Sequence, residues 1–153
     1  MDLKRSWMFV PGHRQRMIDK GLELNTDVIM LDIEDGVAPS EKDTARKLIS
    51  EALGRVRLPN CPARFVRINA IGHPRMDADL EAVVRPGLDG LVLPKVETAA
   101  DVLKVEAILN QREPALNIER GSVKLLVAIE SPQGLLNAVA IAACSARVIG
   151  LMF

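Results

Sequence analysis

The sequence predicts an α/β fold, a partial (β/α)8 TIM barrel with about six of its eight strands present, and residues 1–153 forming one truncated barrel domain. Three observations predict it. Strand-length apolar runs alternate with stretches of helical periodicity, the pattern of right-handed βαβ units around a parallel sheet. The runs end in polar side chains: Asp32, Glu34 and Asp35, then Arg67 and Asn69, then Lys95 and Glu97, then Glu130. Charge at the carboxyl ends of parallel strands is where α/β sheets and barrels build their sites. The first run is followed by Pro11-Gly12-His13-Arg14, not by the glycine-rich turn of a dinucleotide-binding sheet, which favours the barrel. A whole barrel takes ~250 residues, and Phe153 falls inside an apolar run, so the sequence reads as cut.

Each element has its own signal. Trp7–Val10 is a short strand closed by Pro11-Gly12, and residues 13–24 read as helix. Val28–Glu34 is the second strand. Ser40 is the expected cap of the next helix, with Asp43 as capping-box partner; Ala45, Leu48, Ile49, Ala52 and Leu53 recur at helical spacing. Pro59 and Pro62 precede the third strand, Phe65–Asn69, and Pro74 is expected to open a helix reaching Val84. Gly90–Leu93 is the fourth strand. Thr98 and Asp101 cap a helix carrying Val102, Val105, Ile108 and Leu109. After the polar loop at Asn117–Gly121, the fifth strand runs to Glu130. Ser131-Pro132 is N-cap and N1 of a helix to Ala143, and Val148–Phe153 is the sixth strand.

Composition narrows the function. Twenty basic residues balance twenty acids at a pI near 6.7, and aromatics make up 3%. No basic field or stacking platform suits nucleic acid. No apolar run spans a bilayer, and the N-terminus lacks the apolar segment of a signal peptide. A cytoplasmic protein without a membrane partner is expected, with Cys61 and Cys144 as reduced thiols.

Strand parity brings candidates together. Alternate residues share a face, so Asp32 and Glu34, Arg67 and Asn69, and Glu130 are expected to point to the barrel axis, while Ile29, Leu31, Ile33, Val66, Ile68, Val127 and Ile129 face helices. Glu130 follows an apolar strand, and a carboxylate buried there unpaired costs several kcal/mol. A hard divalent cation would satisfy it; so would a pairing with Arg67 or Lys95, or capping of the next helix. Arg67 suits a bidentate grip on a substrate carboxylate, or a salt bridge to Asp32 or Glu34. Of the acids, some are expected to hold metal-bound water or orient Arg67, with Asp35 capping its loop. Lys95 is read as seeking a partner or phosphate before Schiff-base chemistry. His13 and His73 read as surface or capping residues. Arg5, Arg14 and Arg16 suit either a cofactor's phosphates or a solvated rim.

The segments Arg5-Ser-Trp-Met-Phe-Val-Pro-Gly12, Asp27–Ala38, Pro39-Ser-Glu-Lys42, Arg67-Ile-Asn69, Leu93-Pro-Lys-Val-Glu97 and Ala128-Ile-Glu-Ser131, in this order, resemble the citrate lyase beta subunit family within the HpcH/HpaI aldolase group. The resemblance implies a Mg2+-dependent carbon–carbon lyase that cleaves a hydroxyacyl-CoA or carrier thioester, of the citryl-CoA or malyl-CoA type, to an acetyl-thioester and an α-oxo acid. It implies Glu130 as metal ligand, Arg67 as holder of the substrate carboxylate, Glu34 and Asp35 as organisers of the metal's water shell, and Arg5, Pro11 and Gly12 near the CoA. Asn69 and Lys95 join the substrate-binding set. A homo-oligomer, trimer or hexamer, is implied. The family's second metal ligand and its catalytic acid fall beyond Phe153, so inactivity of the chain by itself is expected. The alternatives are a free α-keto-acid aldolase or a malyl-CoA thioesterase of the same superfamily, or a non-catalytic subunit.

Overall fold

The computed structural model describes residues 4–153; the Met1–Leu3 part of the N-terminal reading lies outside them. Six strands pair in parallel in strict chain order: β1 (Trp7–Pro11), β2 (Val28–Asp32), β3 (Ala63–Arg67), β4 (Gly90–Leu93), β5 (Lys124–Ala128) and β6 (Val148–Met152). A doubly wound sheet reverses its order at a switch point. Here every strand is laid beside the one before it, which is the winding of a barrel. β1 and β6 do not pair, so the sheet is not closed.

The two faces follow the parity of the sequence. On one, Ile29, Leu31, Ile33, Val66, Ile68, Leu91, Leu93, Val127 and Ile129 pack into the large core under the helices. On the other, Val28, Met30, Phe65, Val92 and Leu126 form a smaller cluster with Trp7 and Met152 beside it. Trp7 meets Phe65 edge-on at 4.9 Å. The sheet's open sides leave apolar side chains in solvent: Met8, Phe9 and Met17 along β1, and Leu136, Val139, Ile149 and Phe153 towards β6.

Six helices complete the units: α1 (Gln15–Leu22), α2 (Lys42–Leu53), α3 (Met76–Val83), α4 (Ala99–Ala115), α5 (Pro132–Leu136) and α6 (Ala138–Ala143). The reciprocal capping box of Thr98 and Asp101 opens α4, and Ser131 with Pro132 opens α5. Three other expectations are corrected. Ser40 caps nothing: Pro39–Glu41 forms a 3₁₀ turn that moves the start of α2 to Lys42, with no side-chain cap, and Asp43 pairs with Arg46 instead. Pro74 lies in a turn, and α3 begins at Met76. The last helix is broken at Asn137, whose Nδ2 donates to the Glu97 carbonyl at 2.7 Å. The strands also stop earlier than expected, so Glu34, Asn69 and Glu130 stand in the loops just past their ends.

The end of α2 is closed by tertiary structure. The buried Arg64 donates from Nη1 to the carbonyls of Ala52, Leu53 and Arg55 at 3.0–3.3 Å, satisfying groups that a helix C-terminus leaves open. Cys61 and Cys144 are free thiols. Among the described residues no helix is long and apolar enough to cross a membrane.

The capping difference is measurable. Thr98→Ala should cost about 1 kcal/mol in urea unfolding, while Ser40→Ala should stay within about 0.5 kcal/mol of the parent. Equal losses would show that Ser40 caps α2 after all.

Candidate active site at the carboxyl edge of the sheet

Asp32 ends β2 with its side chain 4% exposed. An ionised carboxylate has about four acceptor positions, and here each has a donor. Arg67 gives Nε to Oδ1 at 2.7 Å and Nη2 to Oδ2 at 2.8 Å. The backbone N–H groups of Glu34 and Gly36 each donate at 2.8 Å. Burial alone would push the Asp32 carboxyl up; the Arg67 guanidinium and the two N–H groups outweigh it and hold it below the ordinary range. Asp32 is therefore saturated and has no oxygen to spare for a metal. It, and not Asp35, caps the loop after β2.

Two glycines make this possible. A Cβ on Gly36 would lie 2.3 Å from Asp32 Oδ2, and one on Gly12 would lie 2.5 Å from the Asp32 carbonyl. The Gly12 N–H donates to that carbonyl at 2.9 Å. Pro11-Gly12 thus ties the end of β1 to the end of β2, where Pro11 pairs with Asp32.

Glu34 differs from Asp32 although both are 3% exposed. Lys95 Nζ lies 2.7 Å from Oε1 and Arg67 Nη1 lies 3.2 Å from Oε2. Both approach at poor angles, and neither oxygen receives an aligned hydrogen bond. The pairing neutralises the charge but leaves acceptor capacity. Asp35 is exposed and reaches only Lys95, at 3.2 Å. Lys95 takes a left-handed backbone, φ +54°, uncommon outside glycine and asparagine and a mark of a constrained position. Its close pairing with Glu34 and then with Asp35 raises its pKa, so it stays charged and is unsuited to forming a Schiff base.

Arg67 spends its Nε–Nη2 edge on Asp32, with Phe9 stacked 5.1 Å from Cζ. Its end-on edge, Nη1 with Nη2, is shared with Glu34 alone. Asn69 is buried and committed: its Nδ2 donates to Asp79 at 2.6 Å and its Oδ1 accepts from Lys42 at 3.1 Å. Lys42 was no candidate on sequence grounds. Its ammonium also donates to the carbonyls of Ile33 and Glu34. A lysine as first residue of a helix, against the dipole, was the signal for it.

Glu130 stands exposed two residues past β5. Arg67 and Lys95 are taken by the acids of the β2 loop, and Ser131 caps α5. None of the simple partners claims Glu130. Among the described residues no three His, Cys, Asp or Glu side chains gather as a metal cage. A hydrated hard cation takes one or two carboxylates and keeps several waters; Glu130 is the uncommitted carboxylate here, while both Glu34 oxygens are buried against Lys95 and Arg67.

A cleft of about 310 Å³ beside the β2 loop is lined by Glu34, Asp35, Lys42, Asn69, His73 and Lys95; Arg67 and Glu130 do not line it. Arg5 is not part of it. Its backbone N–H donates to Asp27 at 2.7 Å, at the amino edge of β1 and β2. A larger cavity of about 600 Å³ opens there, lined by Lys4, Asp27, Arg57, Asp89 and Lys124. Several of its charges already pair locally, as Arg57 does with Asp89 at 2.6 Å, and it lies at the end of the sheet opposite the acids. His73 is exposed as expected; His13 is half-buried and does not cap α1, whose N-cap is Arg14.

Residues 5–153 match the family model HpcH/HpaI aldolase/citrate lyase. The chain belongs to that family. It is 44% identical over 97% of its length to the citrate lyase subunit beta of Escherichia coli strain K12, covering 49% of that protein. It is 36% identical over 95% of its length to an L-malyl-CoA/beta-methylmalyl-CoA lyase of Rhodobacter capsulatus, covering 46% of it. The citrate lyase beta subunit of M. tuberculosis, solved with oxaloacetate and magnesium, superposes with a TM-score of 0.75 at 29% identity, over 99% of this chain and 59% of that one. The chain spans about half the length of the curated relatives it matches. The barrel winding read from the sequence agrees with these neighbours.

Asp32 gives a pH test. Its folded pKa is depressed, so its stabilisation is full above the unfolded value, about 3.9, and is lost as pH falls through the folded value. Asp32→Asn should cost about 3 kcal/mol near neutral pH by stranding Arg67. The gap between parent and variant should shrink below about pH 4. A gap that stays constant from pH 7 to pH 3 would contradict the assignment.

Proposed function

We propose that this chain supplies the metal- and carboxylate-binding part of a Mg2+-dependent carbon–carbon lyase acting on hydroxyacyl thioesters of CoA or of an acyl carrier. One observation carries the reading. Glu130, an exposed and uncommitted carboxylate, stands at the carboxyl edge of the same parallel sheet that ends in Glu34 and in Arg67, whose Nη1 is held by Glu34 alone. Family membership and the lyase names of the relatives support the reaction class. The oxaloacetate and magnesium in the M. tuberculosis neighbour support the cofactor and an α-oxo acid product.

In this reading Glu130 ligates the metal directly, while Glu34 and Asp35 accept hydrogen bonds from its water. The metal, when bound, supplies Lewis acidity and a template for an α-oxo acid. Arg67, fixed by Asp32 and Phe9, offers its Nη1–Nη2 edge to the distal carboxylate. Lys95 keeps the acid pair neutralised and its charge near the cleft. Pro11 and Gly12 fix the floor on the β1 side. Arg5, at the other edge, is proposed as a residue of the amino-end surface, and CoA contact is assigned to the carboxyl side. Asn69 is proposed to act on the loops and not on substrate. The sheet is open and no three potential metal ligands gather among the described residues, so we read the chain as inactive by itself, and the enzyme as a homo-oligomer in the cytoplasm.

Calorimetric titration with Mg2+ and oxaloacetate tests the site. The parent chain should bind the pair weakly, and Glu130→Gln should abolish the metal-dependent heat. Arg67→Lys keeps charge but loses the planar fork; it should weaken oxaloacetate by at least about tenfold, ~1.4 kcal/mol. Citryl-CoA and malyl-CoA should not be cleaved. Tight binding with turnover by the parent would overturn the inactive reading, and binding indifferent to both substitutions would overturn the site.

A further inference from the structure

Resting on that reading of the acids, we propose that Lys42 is the positioning residue of the site: its buried ammonium sets the loop that aims Glu34 and Asp35 into the cleft. Lysine has three donors and no acceptor. All are spent, on the Ile33 and Glu34 carbonyls and on Asn69 Oδ1. Two consecutive carbonyls turned towards one ammonium fix the peptide planes on both sides of Glu34. Ile33 then faces the core with no exposed surface, and the Glu34 side chain faces the cleft.

The loop has little else to hold it. Past the end of β2 its polar backbone groups go chiefly to charged side chains: Glu34 and Gly36 N–H to Asp32, Ile33 and Glu34 C=O to Lys42. The Ile33 N–H still reaches the Arg67 carbonyl at 2.9 Å, and the Val37 N–H reaches the Glu34 carbonyl at 3.1 Å. Asp32 grips the loop from the donor side and Lys42 from the acceptor side.

Lys42 is also costly where it stands. It is 6% exposed, and a buried ammonium is expensive even when paired. It opens α2, where the helix dipole disfavours a cation. Two broken local rules at one residue are what a functional position shows. Through Asn69 the ammonium also reaches Asp79, which accepts Arg46 Nε at 2.8 Å. The loops after β2 and β3 are thereby held in one frame.

Amide hydrogen exchange in the whole chain tests this. In the parent, Glu34 and Gly36 should be protected like strand amides although neither lies in a strand; exchange at the rate of a free loop would overturn the proposal without any variant. In Lys42→Met, which keeps the stem and removes the charge, exchange at Glu34 and Gly36 should rise about tenfold or more while Val66, Val92 and Val127 change by less than about twofold. A uniform rise across the sheet, or none in the loop, would reduce Lys42 to a stability element. Mn2+ provides a second readout. In the parent it should broaden the resonances of Glu34, Asp35 and Glu130. In Lys42→Met the broadening at Glu34 and Asp35 should fade while that at Glu130 persists, and unchanged broadening at all three would count against the proposal. If Mn2+ leaves the parent unbroadened, the metal reading fails, and the exchange rates still decide the role of Lys42.

Discussion

The saturated carboxylate of Asp32 is the contact on which the rest of the site depends. A buried charge must be met by donors, and each of its four donors comes from a place that matters. Two are the fork of Arg67 at the end of β3. Two are the amides of the loop that carries Glu34 and Asp35. The carbonyl of the same residue takes the Gly12 amide from the end of β1. One residue thus joins three strand ends, and both glycines near it are excluded from change by the space it fills. The orientation of Arg67 and the course of the acid loop are both consequences.

How much of this the sequence carries depends on the range of the forces involved. Parity along β2, β3 and β5 decides which side chains face helices, because burial on one face of a pleated strand is a local, period-two signal. The box at Thr98 is equally local and forms as read. Ser40 offers a similar local signal, and a neighbouring proline turn overrides it. Asp32 and Glu34 look equivalent in the sequence, two acids on one strand face. They part because the fork of Arg67, distant in the chain, joins two local amides on Asp32, while Glu34 meets only the side chains of Lys95 and Arg67. No local pattern records that. Arg5 is a different lesson. β1 runs from Trp7 to Pro11, about 17 Å at ~3.3 Å per residue. A residue before it stands at the amino edge while the site is at the carboxyl edge, so strand direction alone separates Arg5 from Gly12.

The electrostatics of the cluster bear on what it can bind. Asp32, Glu34, Asp35 and Asp79 are matched by Arg67, Lys95, Lys42 and Arg46, so the cluster is close to neutral before any ligand arrives. Neutral buried networks hold their geometry, because every charge has a partner. They attract a bare divalent cation less than an unpaired acidic pocket does. Glu130, outside the network, is the carboxylate whose charge is unspent. In the proposed function, a metal carrying an anionic chelate brings its cation to Glu130 and its carboxylate to Arg67, where it shares the guanidinium with Glu34. On that reading, a metal and a carboxylate-bearing ligand bound together are favoured over a bare divalent cation bound alone.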